Sequence, residues 1–147
     1  MDHEIVPLIT CDDGTFELHE PTLEWFSKLN KPFGIISCAG KFRTGKSFLL
    51  NRILNSGPSK GFGVGETVQA CTKGLWICKK TVEASEELDV IIMDTEGIDA
   101  LDASSEHDTR IFTLGILLSS IFLYNSVGHI DEAAIQTLSF MSKVSSF

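Results

Sequence analysis

Phe33-Gly34-Ile35-Ile36-Ser37-Cys38-Ala39 runs straight into Gly40-Lys41-Phe42-Arg43-Thr44-Gly45-Lys46-Ser47, and the fold turns on how this stretch is read. The first part is a short apolar run ending in small residues, the pattern of a buried strand. The second satisfies Gly-x-x-x-x-Gly-Lys-Ser/Thr, the phosphate-loop pattern. A helical pattern follows from Lys46 to about Leu54. Strand before and helix after are the context that the pattern requires. Glycines let main-chain N–H groups turn inward around phosphate oxygens, and the helix N-terminus adds its partial positive charge. Lys46 can then reach β- and γ-phosphates as a point charge, and the Ser47 hydroxyl suits Mg2+. The bland alternative is a glycine-rich turn whose lysine is merely solvated.

Downstream, the apolar segment Val90-Ile91-Ile92-Met93 delivers Asp94 at its carboxyl end, followed by Thr95, Glu96 and Gly97. An acidic residue there is placed to support a Mg2+ shell, and Gly97 can offer a close N–H to a γ-phosphate. Taken alone, Asp-x-x-Gly after a strand is an ordinary turn. It gains force from the phosphate loop upstream. Between the motifs, residues 55–73 contain Pro58, Gly57, Gly61, Gly63 and Gly65 with little periodicity and read as a long functional loop. Its Thr67 or Thr72 could complete the metal coordination. Of the two, Thr72, just before Lys73 and the strand at Gly74, is favoured; the bland alternative is a strand-capping threonine.

Working outward, Ile5 to Ile9 reads as a short edge segment, Pro21 to Leu29 as a helix and Gly74 to Cys78 as a strand. Leu88 to Met93 follows as another strand, with the turn at 83–87 before it. Glu106 to Ile116 reads as a helix, Leu117 to Tyr124 as a buried strand, and Asp131 to Val144 as an amphipathic helix through Ala134, Ile135, Leu138 and Met141. Alternating strands and helices are the α/β signature. The expected architecture is a P-loop three-layer α/β/α sandwich with a mostly parallel sheet, formed by residues 1–147 as a single partial domain.

A chain of 147 residues with 43% hydrophobic and 22% charged residues suits one globular domain. Its net charge of −8 repels phosphate backbones, which argues against nucleic-acid binding. Cys11, Cys38, Cys71 and Cys78 lack metal or disulfide spacing and read as reduced thiols of a cytoplasmic protein. No secretory signal is visible at the N-terminus. Ile111 to Ile130 carries no Lys, Arg, Asp or Glu and has the length of a spanning helix, but its Ser, Asn and His residues argue against membrane insertion. His3, His19, His107 and His129 are scattered and read as surface or structural.

The phosphate-loop string, Thr67-Val68-Gln69-Ala70-Cys71-Thr72-Lys73-Gly74-Leu75-Trp76, Asp94-Thr95-Glu96-Gly97 and Leu117-Leu118-Ser119-Ser120-Ile121-Phe122-Leu123-Tyr124-Asn125-Ser126 together resemble the guanylate-binding-protein family of dynamin-related large GTPases. The resemblance implies GTP binding and Mg2+-dependent hydrolysis, with nucleotide-dependent pairing of two G domains as a homodimer. It places an arginine finger at Arg43, the Mg2+ threonine at Thr72 and a water-organising acid at Glu96. The catalytic set so assigned is Arg43, Lys46, Thr72 and Glu96. Nucleotide contacts fall on Gly40, Arg43, Thr44, Gly45, Lys46, Ser47, Phe48, Thr72, Asp94 and Gly97. Metal ligands fall on Ser47, Thr72 and Asp94.

Two departures from the family pattern qualify this reading. Ala70 stands where the family usually has serine, which implies slower hydrolysis. Neither an Asn/Thr-Lys-x-Asp loop nor the family's later Arg-Asp pair occurs, so guanine specificity comes from the resemblance and the domain is expected to be C-terminally incomplete. An alternative is a truncated nucleotide-binding or dimerisation module without turnover, and a third reading is a membrane-anchored interaction protein using residues 111–130.

Overall fold

The computed structural model describes residues 4–12, 14–40, 45–54, 61–62, 73–96, 106–126 and 128–144. Their order is β1 (Ile5–Asp12), β2 (Thr15–Leu18), α1 (Glu20–Ser27), β3 (Phe33–Gly40), α2 (Lys46–Ile53), β4 (Lys73–Cys78), β5 (Val82–Glu83), β6 (Asp89–Glu96), α3 (Glu106–Leu118), β7 (Ile121–Asn125) and α4 (Glu132–Val144). The strands form one sheet in the order β2-β1-β4-β6-β3-β7, with β5 also paired to β6.

The expectation of a mostly parallel sheet is corrected. Only β3–β6 and β3–β7 are parallel; β1–β2, β1–β4, β4–β6 and β5–β6 are antiparallel, so the α/β fold has a mixed sheet. Short connections account for two of the antiparallel pairs, β1–β2 and β5–β6, because antiparallel neighbours can be joined by a tight turn whereas parallel ones need a long crossover. Ala84 and Ser85 donate main-chain N–H bonds to Leu88 O (2.9 and 3.1 Å), closing such a turn between β5 and β6. β1 is likewise no edge. It lies between β2 and β4, and Gly14 with φ +82° helps turn the chain from β1 into β2.

Period-2 alternation along β6 separates two cores. Ile91 and Met93 join Leu75, Ile77 and Ile111 of α3, with Trp25 and Phe26 of α1 packed against them. Ile92 joins Cys38, Trp76 and Cys78 with Leu50 of α2 and Leu54 at its C-cap. Helices therefore cover both faces of the sheet. α1 is entered through Pro21 in its first turn, where a missing N–H costs nothing. Its N-cap His19 donates Nδ1–H to Thr22 Oγ1 (2.7 Å), and that buried hydroxyl donates to Pro7 O (2.7 Å). His19 thus has the structural role expected of it.

The run from Ile111 to Ile130 is divided between α3 and β7, and among the described residues no helix is long and apolar enough to cross a membrane. Leu117 and Leu118, read as strand, end α3 instead. On α4 the expected apolar stripe is partly displaced. Ile135 and Leu138 are exposed, whereas Met141 of the expected stripe packs, together with Phe140 and Val144, towards Phe112 and Ile116 of α3.

Candidate functional site

The strand that precedes the phosphate-loop pattern ends at Gly40, and the helix after it begins at Lys46. A Cβ on Gly40 would lie 2.2 Å from the Asn125 carbonyl oxygen of β7, so glycine is required there by the neighbouring strand. Gly45 adopts φ +86° as the N-cap of α2, a left-handed conformation that favours glycine over residues with a side chain. Leu49 N–H donates to Gly45 O (2.9 Å). The N–H groups of Lys46, Ser47 and Phe48 come before this first helical bond, the position from which helix starts bind anions.

Sheet register brings the acidic group to the same place. Asp94 pairs across to Cys38 of β3 on one side and to Trp76 of β4 on the other. The strand continues through Glu96, so Asp94 lies inside β6 instead of at its end. Its side chain is 0% exposed and its Oδ1 lies 2.9 Å from Lys46 Nζ, itself 14% exposed. Although the distance makes an ion pair, among the described residues neither carboxylate oxygen has a hydrogen bond of acceptable geometry. Another of the three ammonium N–H donors serves Thr95 O at 2.9 Å. A buried carboxylate held by a single ion pair has capacity for a further cation or donor. That donor set, hard oxygen beside a helix start, fits Mg2+.

Two further groups fix the geometry. Thr95, buried, donates Oγ1–H to Cys38 O (3.2 Å) and so ties β6 to β3 beneath Lys46. Burial pushes the Cys38 thiol up from an ordinary 9.0 to about 11, helped by the Asp94 charge and opposed by Lys46. Cys38 is therefore a neutral core residue at physiological pH.

Of the residues expected to form the site, the structure brings Lys46 and Asp94 into contact and puts Gly40 and Gly45 at the two ends of the loop. Phe48 lies in the first turn of α2 with an exposed ring. Ser47 follows Lys46 in α2 and Glu96 ends β6. Arg43, Thr44, Thr72 and Gly97 lie outside the described residues, as do Thr67 and Ala70. Sequence reasoning missed Thr95, because a carbonyl acceptor has no residue signature. It also missed Asn51, whose amide binds the main chain of Phe62 through Nδ2–H to Phe62 O (3.0 Å) and Phe62 N–H to Oδ1 (2.8 Å). A lone asparagine within an otherwise good helix former run was the only available signal.

Comparison with known proteins agrees with this geometry. A family model described as "Guanylate-binding protein, N-terminal domain" matches residues 13–146. Guanylate-binding protein 5 of Mus musculus is 38% identical over 132 residues, covering 89% of this chain and 22% of its own length. The Homo sapiens guanylate-binding protein 5 matches to the same extent, 38% over 132 residues. Guanylate-binding protein 3 of Homo sapiens is 34% identical over 138 residues, covering 93% of this chain and 23% of its own length. The chain thus spans less than a quarter of the length of these relatives. With Lys46 at the start of α2 against the buried Asp94 and a family match across most of its length, the chain belongs to the guanylate-binding protein family, within the N-terminal domain.

Proposed function

We propose that this chain binds GTP with Mg2+ and hydrolyses it to GDP and phosphate by in-line attack of water. The observation that carries the reading is the buried, hydrogen-bond-deficient Asp94 carboxylate against Lys46 at the start of α2. Main-chain N–H groups of residues 43–47 hold the phosphates, and Lys46 exchanges its contact with Asp94 for the β- and γ-phosphate oxygens. Ser47, Thr72 and Asp94 would hold Mg2+, which when bound supplies neutralising charge on the phosphate oxygens. Arg43 neutralises charge developing at the β–γ bridge, Gly97 offers an N–H to the γ-phosphate, and Glu96 organises water beside it. Family membership supports guanine as the base, pairing of two such domains across their sites, and a cytoplasmic location.

Titration of the purified chain with GTP and ATP analogues, with and without Mg2+, tests this reading. Selective, metal-dependent guanine binding that is lost in a folded Lys46→Ala variant is the expected result. Equal binding of both bases would remove the guanine assignment, and no binding of either would overturn the nucleotide reading. Phosphate release under the same conditions separates turnover from the alternative, a binding module without turnover. Ala70 is the residue that favours that alternative, because a methyl group cannot orient water. Restoring serine with Ala70→Ser is expected to raise the single-turnover rate; an unchanged rate would remove Ala70 as the cause of slow hydrolysis.

A further inference from the structure

Beyond Lys46 and Asp94, one group of polar contacts around α2 has no part in the site as described. Asn51 is the half-buried residue on α2 whose side-chain amide makes the two hydrogen bonds to Phe62, one donated and one accepted. This pairing orients the amide, since exchanging its oxygen and nitrogen would set donor against donor and acceptor against acceptor. The Phe62 ring is 2% exposed and belongs to the same apolar cluster as Leu50 of α2, Leu54 at its C-cap, and Trp76, Cys38 and Ile92 of the sheet. Gly61 has φ +124°, and a Cβ there would come within 2.1 Å of Asn51 Oδ1. Only glycine lets the main chain approach the amide this closely.

We propose that Asn51, Gly61 and Phe62 form a brace that positions α2 on the sheet, and that Asn51 is therefore a positioning residue for phosphate binding by Lys46. α2 runs only from Lys46 to Ile53, too short to be stable by its own helix propensity, so its placement rests on what it packs against. Leu50 and Leu54 hold its inner side to the sheet. The brace holds the flank. Phe62 wedges into the shared core and Asn51 ties its main chain to the helix, so rotation or slip of α2 must break two hydrogen bonds or expose a large ring. Lys46 lies on the same rigid segment, five positions before Asn51. A change in the helix's lean moves the ammonium away from Asp94 and from the phosphates that the proposed function places beside it. In a reacting assembly, an error of about 1 Å in a positioned group can cost about 100-fold in rate.

The inference rests on the nucleotide reading, and its test separates the two. Affinities of the full chain for GTP and GDP with Mg2+ are compared among the unaltered protein, Asn51→Ala, Asn51→Asp and Gly61→Ala, with the folded fraction of each measured by circular dichroism and the titrations made well below each Tm. Asn51→Asp retains the acceptor for Phe62 N–H but loses the donor to Phe62 O. Gly61→Ala attacks the brace from the Phe62 side, through a clash with the Asn51 amide, and leaves the sequence of α2 unaltered.

Asn51→Ala and Gly61→Ala are expected to weaken binding about 10-fold per folded molecule, equivalent to losing about 1.4 kcal/mol of the Lys46–phosphate interaction, with Asn51→Asp in between. Hydrogen exchange at the Phe62 amide should accelerate in the same order. A merely structural brace lowers Tm but leaves the affinity of folded molecules unchanged, and that outcome overturns the inference while the nucleotide reading stands. Should Asn51→Ala fold too poorly to titrate, Asn51→Asp and Gly61→Ala decide. Failure of the unaltered protein to bind nucleotide overturns both readings together.

Discussion

Lys46 and Asp94 form an ion pair at a place where the carboxylate is wholly out of water. Asp94 is wholly buried and has no hydrogen bond to offset its lost hydration, so the ammonium 2.9 Å away is its main compensation among the described residues. Removing one partner of a buried pair typically costs about 3–5 kcal/mol, because the other is left as an unpaired buried charge. Lys46→Ala is therefore expected to destabilise the fold by an amount near the lower end of that range, read by urea unfolding. The double variant Lys46→Ala/Asp94→Asn, which removes both charges, should recover part of the loss. If the double variant is no more stable than Lys46→Ala, the uncompensated charge is not the cause.

Cys38 gives a second prediction at this scale, in pH. Its folded value of about 11 lies above the ordinary 9.0, so the unfolded chain gives up the proton first as pH rises. The contribution is fully present below about 9 and is lost between about 9 and about 11. Stability should fall over that window, and Cys38→Ala should flatten the fall relative to the unaltered protein in denaturant midpoints measured at each pH.

Strand spacing and helix packing set a different kind of limit, and two glycines show it. Gly40→Ala would place a methyl 2.2 Å from Asn125 O, which forces β3 and β7 apart at the end of β3 that leads into the phosphate loop. Overpacking of this kind costs about 1–3 kcal/mol, and the variant should lose at least that. Gly115→Ala places its methyl 3.4 Å from Thr95 Cγ2, at ordinary contact distance, while relieving a glycine within α3. Helix propensity favours alanine by about 0.5–1 kcal/mol, so this variant should be neutral or slightly stabilising. Unfolding midpoints that moved together for the two variants would contradict the spatial argument.

The same elements show what was legible beforehand. β3, β4, α1 and α2 follow from apolar runs and turn residues, and their bounds agree with the structure to within a few residues. β2 and β5 escaped notice because short strands with exposed positions bury too little to leave a pattern. The inner stripe of α4 was misplaced in part because Ile135 and Leu138 have the spacing of a core face although it is Met141, with Phe140 and Val144, that meets α3. Periodicity says that a helix has an apolar side; it does not say which side finds a neighbour.

Among the described residues the sheet ends at β7, whose Ile121 is 53% exposed, with Leu117, Leu118, Ile135 and Leu138 also exposed on α3 and α4. An exposed strand edge bearing apolar residues invites pairing with another chain, and a lysine placed there is a common natural remedy. Ile121→Lys should lower concentration-dependent association of this chain in sedimentation velocity, with a stability change within about 0.5 kcal/mol as for ordinary surface substitutions. Association unaffected by the substitution would move the adhesive surface away from β7.

By itself the sequence determined the order of the longer strands and helices, the phosphate-loop pattern with Lys46 at the head of a helix, and the family, because these depend on residues near one another along the chain. Only the tertiary structure decided that the sheet is mixed, that Asp94 lies inside β6 against Lys46, and that Asn51 holds Phe62 to α2. Those facts depend on strand register and on which distant groups share a buried volume. Register is selected by the whole set of side chains packed on both faces at once, which no local window contains.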